Sequence, residues 1–116
     1  HCTALGKVLL AFGRLPLPES LERYTDSTLV TQFALKKNLA SVREQGYAID
    51  DEEFDIGVRC IAAPIFDFRN KVVGSIGISG PTTRMTPGVL QTLVQQVLEI
   101  SDKLNGRMKF NQGREQ

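Results

Sequence analysis

The stretch that most constrains this chain is Val72–Gly80, VVGSIGISG, read as a β-strand. Side chains alternate across a strand. Val72, Gly74, Ile76 and Ile78 therefore share one face, and Val73, Ser75, Gly77 and Ser79 share the other. The first face suits packing on a helix. The second carries little apolar bulk and two hydroxyls. On the preceding strand, Val58, Cys60, Ala62 and Pro64 make a similarly compact face. Two readings are open. Small residues permit a helix to approach closely, and two small faces laid together leave a pocket with an apolar wall and a few polar groups.

The surrounding sequence supplies a frame. Thr3 is placed to cap a helix from Ala4 to about Phe12, with Leu5, Val8, Leu9 and Phe12 as its buried stripe. Gly13 and the Pro16/Pro18 pair end it, and Pro18 opens a short helix through Tyr24. Thr28–Thr31 reads as an extended link. Gln32–Gln45 reads as a helix with Phe33, Leu35, Leu39 and Val42 inward and Gly46 as its C-cap. Tyr47–Asp50, Ile56–Asp67 and Val72–Ser79 read as strands, the last two joined by a hairpin loop at Phe68–Lys71. Thr86-Pro87 starts a final helix running to about Leu104 on Val89, Leu90, Leu93, Val97, Leu98 and Ser101. The expected fold is α+β: an antiparallel sheet with flanking helices. Three strands are few for this much helix, which leads to the expectation of further strands upstream. Residues 1–107 are expected to form the domain and 108–116 a disordered tail.

Composition narrows the function. The chain has 116 residues, a net charge of +1 and no clustered basic face of the kind nucleic-acid binding requires. No apolar run approaches the ~18 residues of a membrane span, so no membrane partner is expected. Cys2 and Cys60 form no CxxC pair, fit no zinc spacing and suit a reducing cytoplasm. Neither a metal nor a cofactor is expected. The start of the first helix, at Ala4 and Leu5, offers free N–H groups to an anion. Among Asp50, Asp51, Glu52, Glu53 and Asp55, only Asp50 sits at a strand end that reaches the groove. The others are expected to be solvated. A thiol enzyme built on Cys60, with His1 or Asp50 as partner, is the rival reading. Against it, Cys60 lies in a strand with no adjacent cation to lower its pKa. Arg59 and Arg84 are expected at the surface.

Three segments, HCTALGKVLLAF, VREQGYAIDDEEFDIGVRCIAAPIFD and VVGSIGISGPTTR, resemble the IclR family of bacterial transcriptional regulators in order and spacing. The resemblance implies the later part of a GAF- or profilin-like effector-binding domain, and a winged helix-turn-helix module elsewhere that contacts DNA. It implies a cytoplasmic homodimer or homotetramer sensing a small organic acid. It also implies a site: the backbone of Ala4 and Leu5 for the acid's carboxylate, polar positions at Asp50, Cys60 and Ser79, and an apolar wall at Val58. The implied acid is a keto acid, sugar acid or aromatic acid; Gly77 stands where some members have serine, which implies a roomier cavity and a sugar acid or aromatic acid over the simplest two- or three-carbon keto acids. A pure oligomerisation module with a degenerate pocket is the second alternative.

Overall fold

The computed structural model describes residues 1–13 and 15–114, with side chains described as far as Asn105. The elements are α1 (Ala4–Gly13), α2 (Gln32–Gln45), β1 (Ala48–Asp51), β2 (Val58–Phe66), β3 (Val72–Pro81) and α3 (Pro87–Arg114). The three strands form an antiparallel sheet in the order β1-β2-β3. The fold is the expected α+β arrangement, in three layers. One core holds Ala4, Val8 and Ala11 of α1, Leu35, Leu39 and Val42 of α2, and Ala48 and Ala62 of the sheet. The other holds Ile61, Ala63, Met85 and Val97, with Ile78, Leu93 and Leu98 packed around them. Alternation along β2 explains the division: Ala62 faces α1, while its neighbours Ile61 and Ala63 face α3.

The caps follow the local chemistry. Thr31 is extended (φ −115°, ψ 146°) and its hydroxyl accepts from the Ala34 N–H. Gly46 has φ 88° and donates to Val42 O, the left-handed close that glycine takes without Cβ strain. In the β2–β3 turn, Asp67 Oδ1 accepts from the N–H groups of Arg69 and Lys71.

Several expectations are corrected. Pro18–Tyr24 is not helical. That region is held instead by Thr28, whose Oγ1 accepts from the N–H groups of Tyr24 and Thr25. On α1 the buried face is Ala4, Lys7, Val8 and Ala11, whereas Leu5 and Leu9 are exposed. Both stripes have helical spacing, and the stripe of smaller side chains is the one that fits against the sheet. Phe33 is 79% exposed, because it lies about 200° around α2 from Leu35. Ile56 is exposed in the turn before β2, which begins at Val58. A register shift between Ile65 and Phe66 pairs Phe66 with Val72. It carries Val72 to the α1 side, where its Cγ1 would lie 3.3 Å from a Cβ at Gly13. The backbone of α3 continues past Leu104 to Arg114. Side chains from 106 to 114 and residues 115–116 lie outside the described residues, so of the tail expected over 108–116 only the backbone to Arg114 is described.

Candidate functional site

The opening turn of α1 stands over one end of the sheet. Thr3 caps it: its Oγ1 accepts from Gly6 N at 3.0 Å and its carbonyl from Lys7 N at 2.9 Å. The N–H groups of Ala4 and Leu5 precede the first intrahelical bond and have no partner among the described residues. Ala4 and Leu5 border a cavity of about 300 Å³. Asp50, Val58, Cys60, Gly77 and Ser79 border it too, so all seven residues singled out from the sequence meet at one void. The register explains the convergence. Asp50 pairs with Cys60, and Cys60 with Ser79, so three strands present polar side chains in one row. The Cys60 Sγ donates to Ser79 Oγ at 3.3 Å. The small faces of β2 and β3 thus do both things the sequence left open. Towards the middle of the sheet, Ala62 packs beneath α1, and towards the strand ends the same face is open.

Sequence reasoning missed Thr3, Phe54 and Asp55, which also line the cavity. In sequence Thr3 reads as the cap of an anion-attracting helix start and not as a lining side chain. Phe54 and Asp55 sit in the acidic loop that had been assigned to solvent. That loop is in fact anchored. Glu53 is only 7% exposed, and its Oε2 accepts from Lys7 Nζ at 2.8 Å. The ammonium also lies 2.8 Å from Oε1 but without a well-directed hydrogen bond. Lys7 is fully buried and makes a second bond to Ile49 O at 2.8 Å. The hydroxyls of Thr25 and Thr28 donate to the carbonyls of Glu52 and Glu53. Arg59 lies outside the cavity but is not the solvated surface arginine expected: its side chain is mostly covered, pairs with Asp51 at 2.8 Å and donates to Met85 O.

Asp50 is 3% exposed, and its Oδ1 accepts from Glu53 N at 2.8 Å. Burial pushes the Asp50 carboxyl up from its ordinary value, against the opposing pull of that N–H and of Lys7. Burial likewise raises Glu53, again against Lys7. A carboxyl whose folded value exceeds its unfolded value binds more protons in the native state. Its stability contribution is complete below the unfolded value and is lost as pH rises through the folded one. Asp50→Asn keeps an acceptor for Glu53 N and removes one of these titrations. Denaturant melts across the carboxylate range should therefore show stability falling less with rising pH in the variant than in the parent. Parallel profiles would contradict this.

Gly77 borders the cavity through its backbone, and its position corrects the size argument. A Cβ there would meet Ile61 O at 2.5 Å and Ala62 Cβ at 3.3 Å. Serine does not fit without moving the strands, so glycine here reflects close strand approach, and extra room for a longer ligand does not follow from it. Gly77→Ser should cost about 1–3 kcal/mol of stability, as overpacking does. A melting temperature equal to that of the parent would contradict this.

The family model for the bacterial transcriptional regulator IclR C-terminal matches residues 1–105; the chain belongs to this family. It is similar to the HTH-type transcriptional regulator BhcR of Paracoccus denitrificans, with 42% identity over 90% of this chain and 40% of that protein. It is similar to the crystal structure of the C-terminal domain of Escherichia coli KdgR, with 36% identity and a TM-score of 0.80, covering 93% of this chain and 70% of that domain. A third likeness is to the inducer-binding domain of PobR from Acinetobacter in complex with 3-hydroxybenzoic acid, with 25% identity and a TM-score of 0.81 over 90% of this chain and 64% of that one. The chain spans about 40% of the length of the curated relatives it matches. These relatives are transcriptional regulators, not enzymes. No helix among the described residues is long and apolar enough to cross a membrane.

Proposed function

We propose that this chain is the effector-sensing part of a transcriptional regulator and that its cavity receives a small organic acid. The observation that carries the reading is the pairing, on one void, of two unpartnered N–H groups at a helix start with a buried carboxyl. The acid's carboxylate meets the N–H groups of Ala4 and Leu5, where the helix dipole favours negative charge. Asp50 is itself acidic, so it serves a hydroxyl of the ligand and not the carboxylate. Ser79 supplies a further hydrogen bond, Val58 an apolar contact, and Cys60 and Gly77 complete the wall. No cofactor takes part.

Binding ties α1 to the sheet and to the loop at Phe54 and Asp55. It shifts a regulator only as far as the two functional states differ in affinity for the acid. The remainder of the protein is then a DNA-binding winged helix-turn-helix module, and the whole works in the cytoplasm as a homodimer or homotetramer. BhcR and KdgR are named as transcriptional regulators, and the PobR complex holds an aromatic acid, which supports the reading. Thermal shift against keto, sugar and aromatic acids tests it. An acid at 100 times its Kd should stabilise the chain by about 2.7 kcal/mol. A flat response throughout would favour an oligomerisation module with a degenerate pocket.

A further inference from the structure

The acidic run DDEEFD carries a single apolar residue, Phe54. Its ring is only half covered. One neighbour is the Tyr24 ring, with centroids 5.1 Å apart and planes tilted by 56°. The ring also lines the cavity. An exposed phenylalanine in a charged loop would ordinarily be a mobile side chain of no consequence. This loop is fastened from below by buried groups. Glu53, the residue before Phe54, bonds Lys7 through its side chain and Thr28 through its carbonyl, and its N–H is taken by Asp50. Phe54 is therefore a positioned wall.

Five residues with polar side chains line the cavity, Thr3, Asp50, Asp55, Cys60 and Ser79, beside an apolar wall of Leu5, Phe54 and Val58. Two N–H groups serve a carboxylate. Asp50 Oδ1 accepts from Glu53 N and the Phe54 N–H also draws on the carboxyl, so few of its lone pairs remain for a ligand hydroxyl. The Ser79 hydroxyl already receives the Cys60 thiol. The side chains of Leu5, Phe54 and Val58 offer no polar atom. A sugar acid brings a hydroxyl on nearly every carbon, and those set against the Leu5, Phe54 and Val58 side chains would be desolvated without partners, which is unfavourable. A two- or three-carbon keto acid satisfies the polar end and leaves the apolar end of a cavity of about 300 Å³ unfilled.

Resting on the proposed acid-sensing role, we infer that Phe54 sorts effectors, and that the ligand is a carboxylate on an aromatic or comparably flat apolar skeleton bearing one hydroxyl. Titration calorimetry of the chain with 3-hydroxybenzoate, pyruvate and gluconate tests this. The account expects 3-hydroxybenzoate to bind most tightly. Phe54→Ala should weaken it roughly 2- to 12-fold, the range of one aromatic pair, and leave pyruvate unaffected. Phe54→Leu, which keeps an apolar side chain on the loop, should fall between and guards against a disordered loop in the alanine variant. If gluconate or pyruvate binds more tightly than 3-hydroxybenzoate, or if both variants bind the aromatic acid as the parent does, the inference is overturned while the acid-sensing role stands. If none of the three acids binds, the acid-sensing role falls and the inference falls with it.

Discussion

Lys7→Met should destabilise the chain by about 3–5 kcal/mol near neutral pH, the usual cost of removing one partner of a buried ion pair. Lys7 is fully buried, and its ammonium is held between Ile49 O and the Glu53 carboxylate. Methionine fills the same space on α1 but leaves Glu53 charged and buried, with the Asp51 N–H in place of a cation and Asp50 close by. The loss should shrink on acidification, because burial already raises the Glu53 pKa and a protonated carboxyl needs no cation. The double variant Lys7→Met/Glu53→Leu removes both charges and should recover most of the stability, since well-packed apolar replacements for buried pairs are often neutral. Urea denaturation of the parent, both single variants and the double variant closes the cycle. Additive losses would mean that the pair is not coupled.

Ala4→Pro should abolish most acid binding while leaving the helix in place. Proline is favoured at the first helical position, where the missing N–H has no intrahelical partner. The substitution therefore deletes one of the two donors proposed for the ligand's carboxylate. A hydrogen bond to a charged group contributes about 1.5–3 kcal/mol, so affinity for a bound acid should fall roughly 10- to 150-fold. The Ala4 methyl is buried, so far-UV circular dichroism and the melting curve should accompany the titration. Unchanged affinity in a folded variant would remove the helix start from the site.

The parts of the fold governed by local chemistry were legible in the sequence. Gly46 closes α2 because a left-handed C-cap calls for glycine at a fixed position, whereas the Thr31 cap is missed and sits in what reads from the sequence as an extended link. The β2–β3 hairpin follows from alternation and from the turn after Asp67. What depends on distant contacts was hidden. Lys7 and Glu53 are 46 positions apart, and each alone reads as a solvated charge. The sequence ALGKVLLAF is apolar on two sides, and only packing against the sheet decides that Ala4, Val8 and Ala11 turn inward. The bulge that redirects Val72 leaves no mark in composition. At the site, alternation anticipated the row of Cys60 and Ser79. The inclusion of Ala4 and Leu5 with Asp50 and Val58 was implied by family resemblance, since periodicity cannot bring a helix start to a strand end. Phe54 escaped because its loop reads as charged.

The central claim is that the N–H groups at the start of α1 and the small-residue end of the sheet together hold an organic anion. Titrating 15N-labelled protein with 3-hydroxybenzoate and following the backbone amides tests this most directly. The account predicts that the amides of Ala4 and Leu5 move most, with those of Asp50, Phe54 and Ser79 next. Saturable shifts elsewhere on the surface, with Ala4 and Leu5 unmoved, would contradict it.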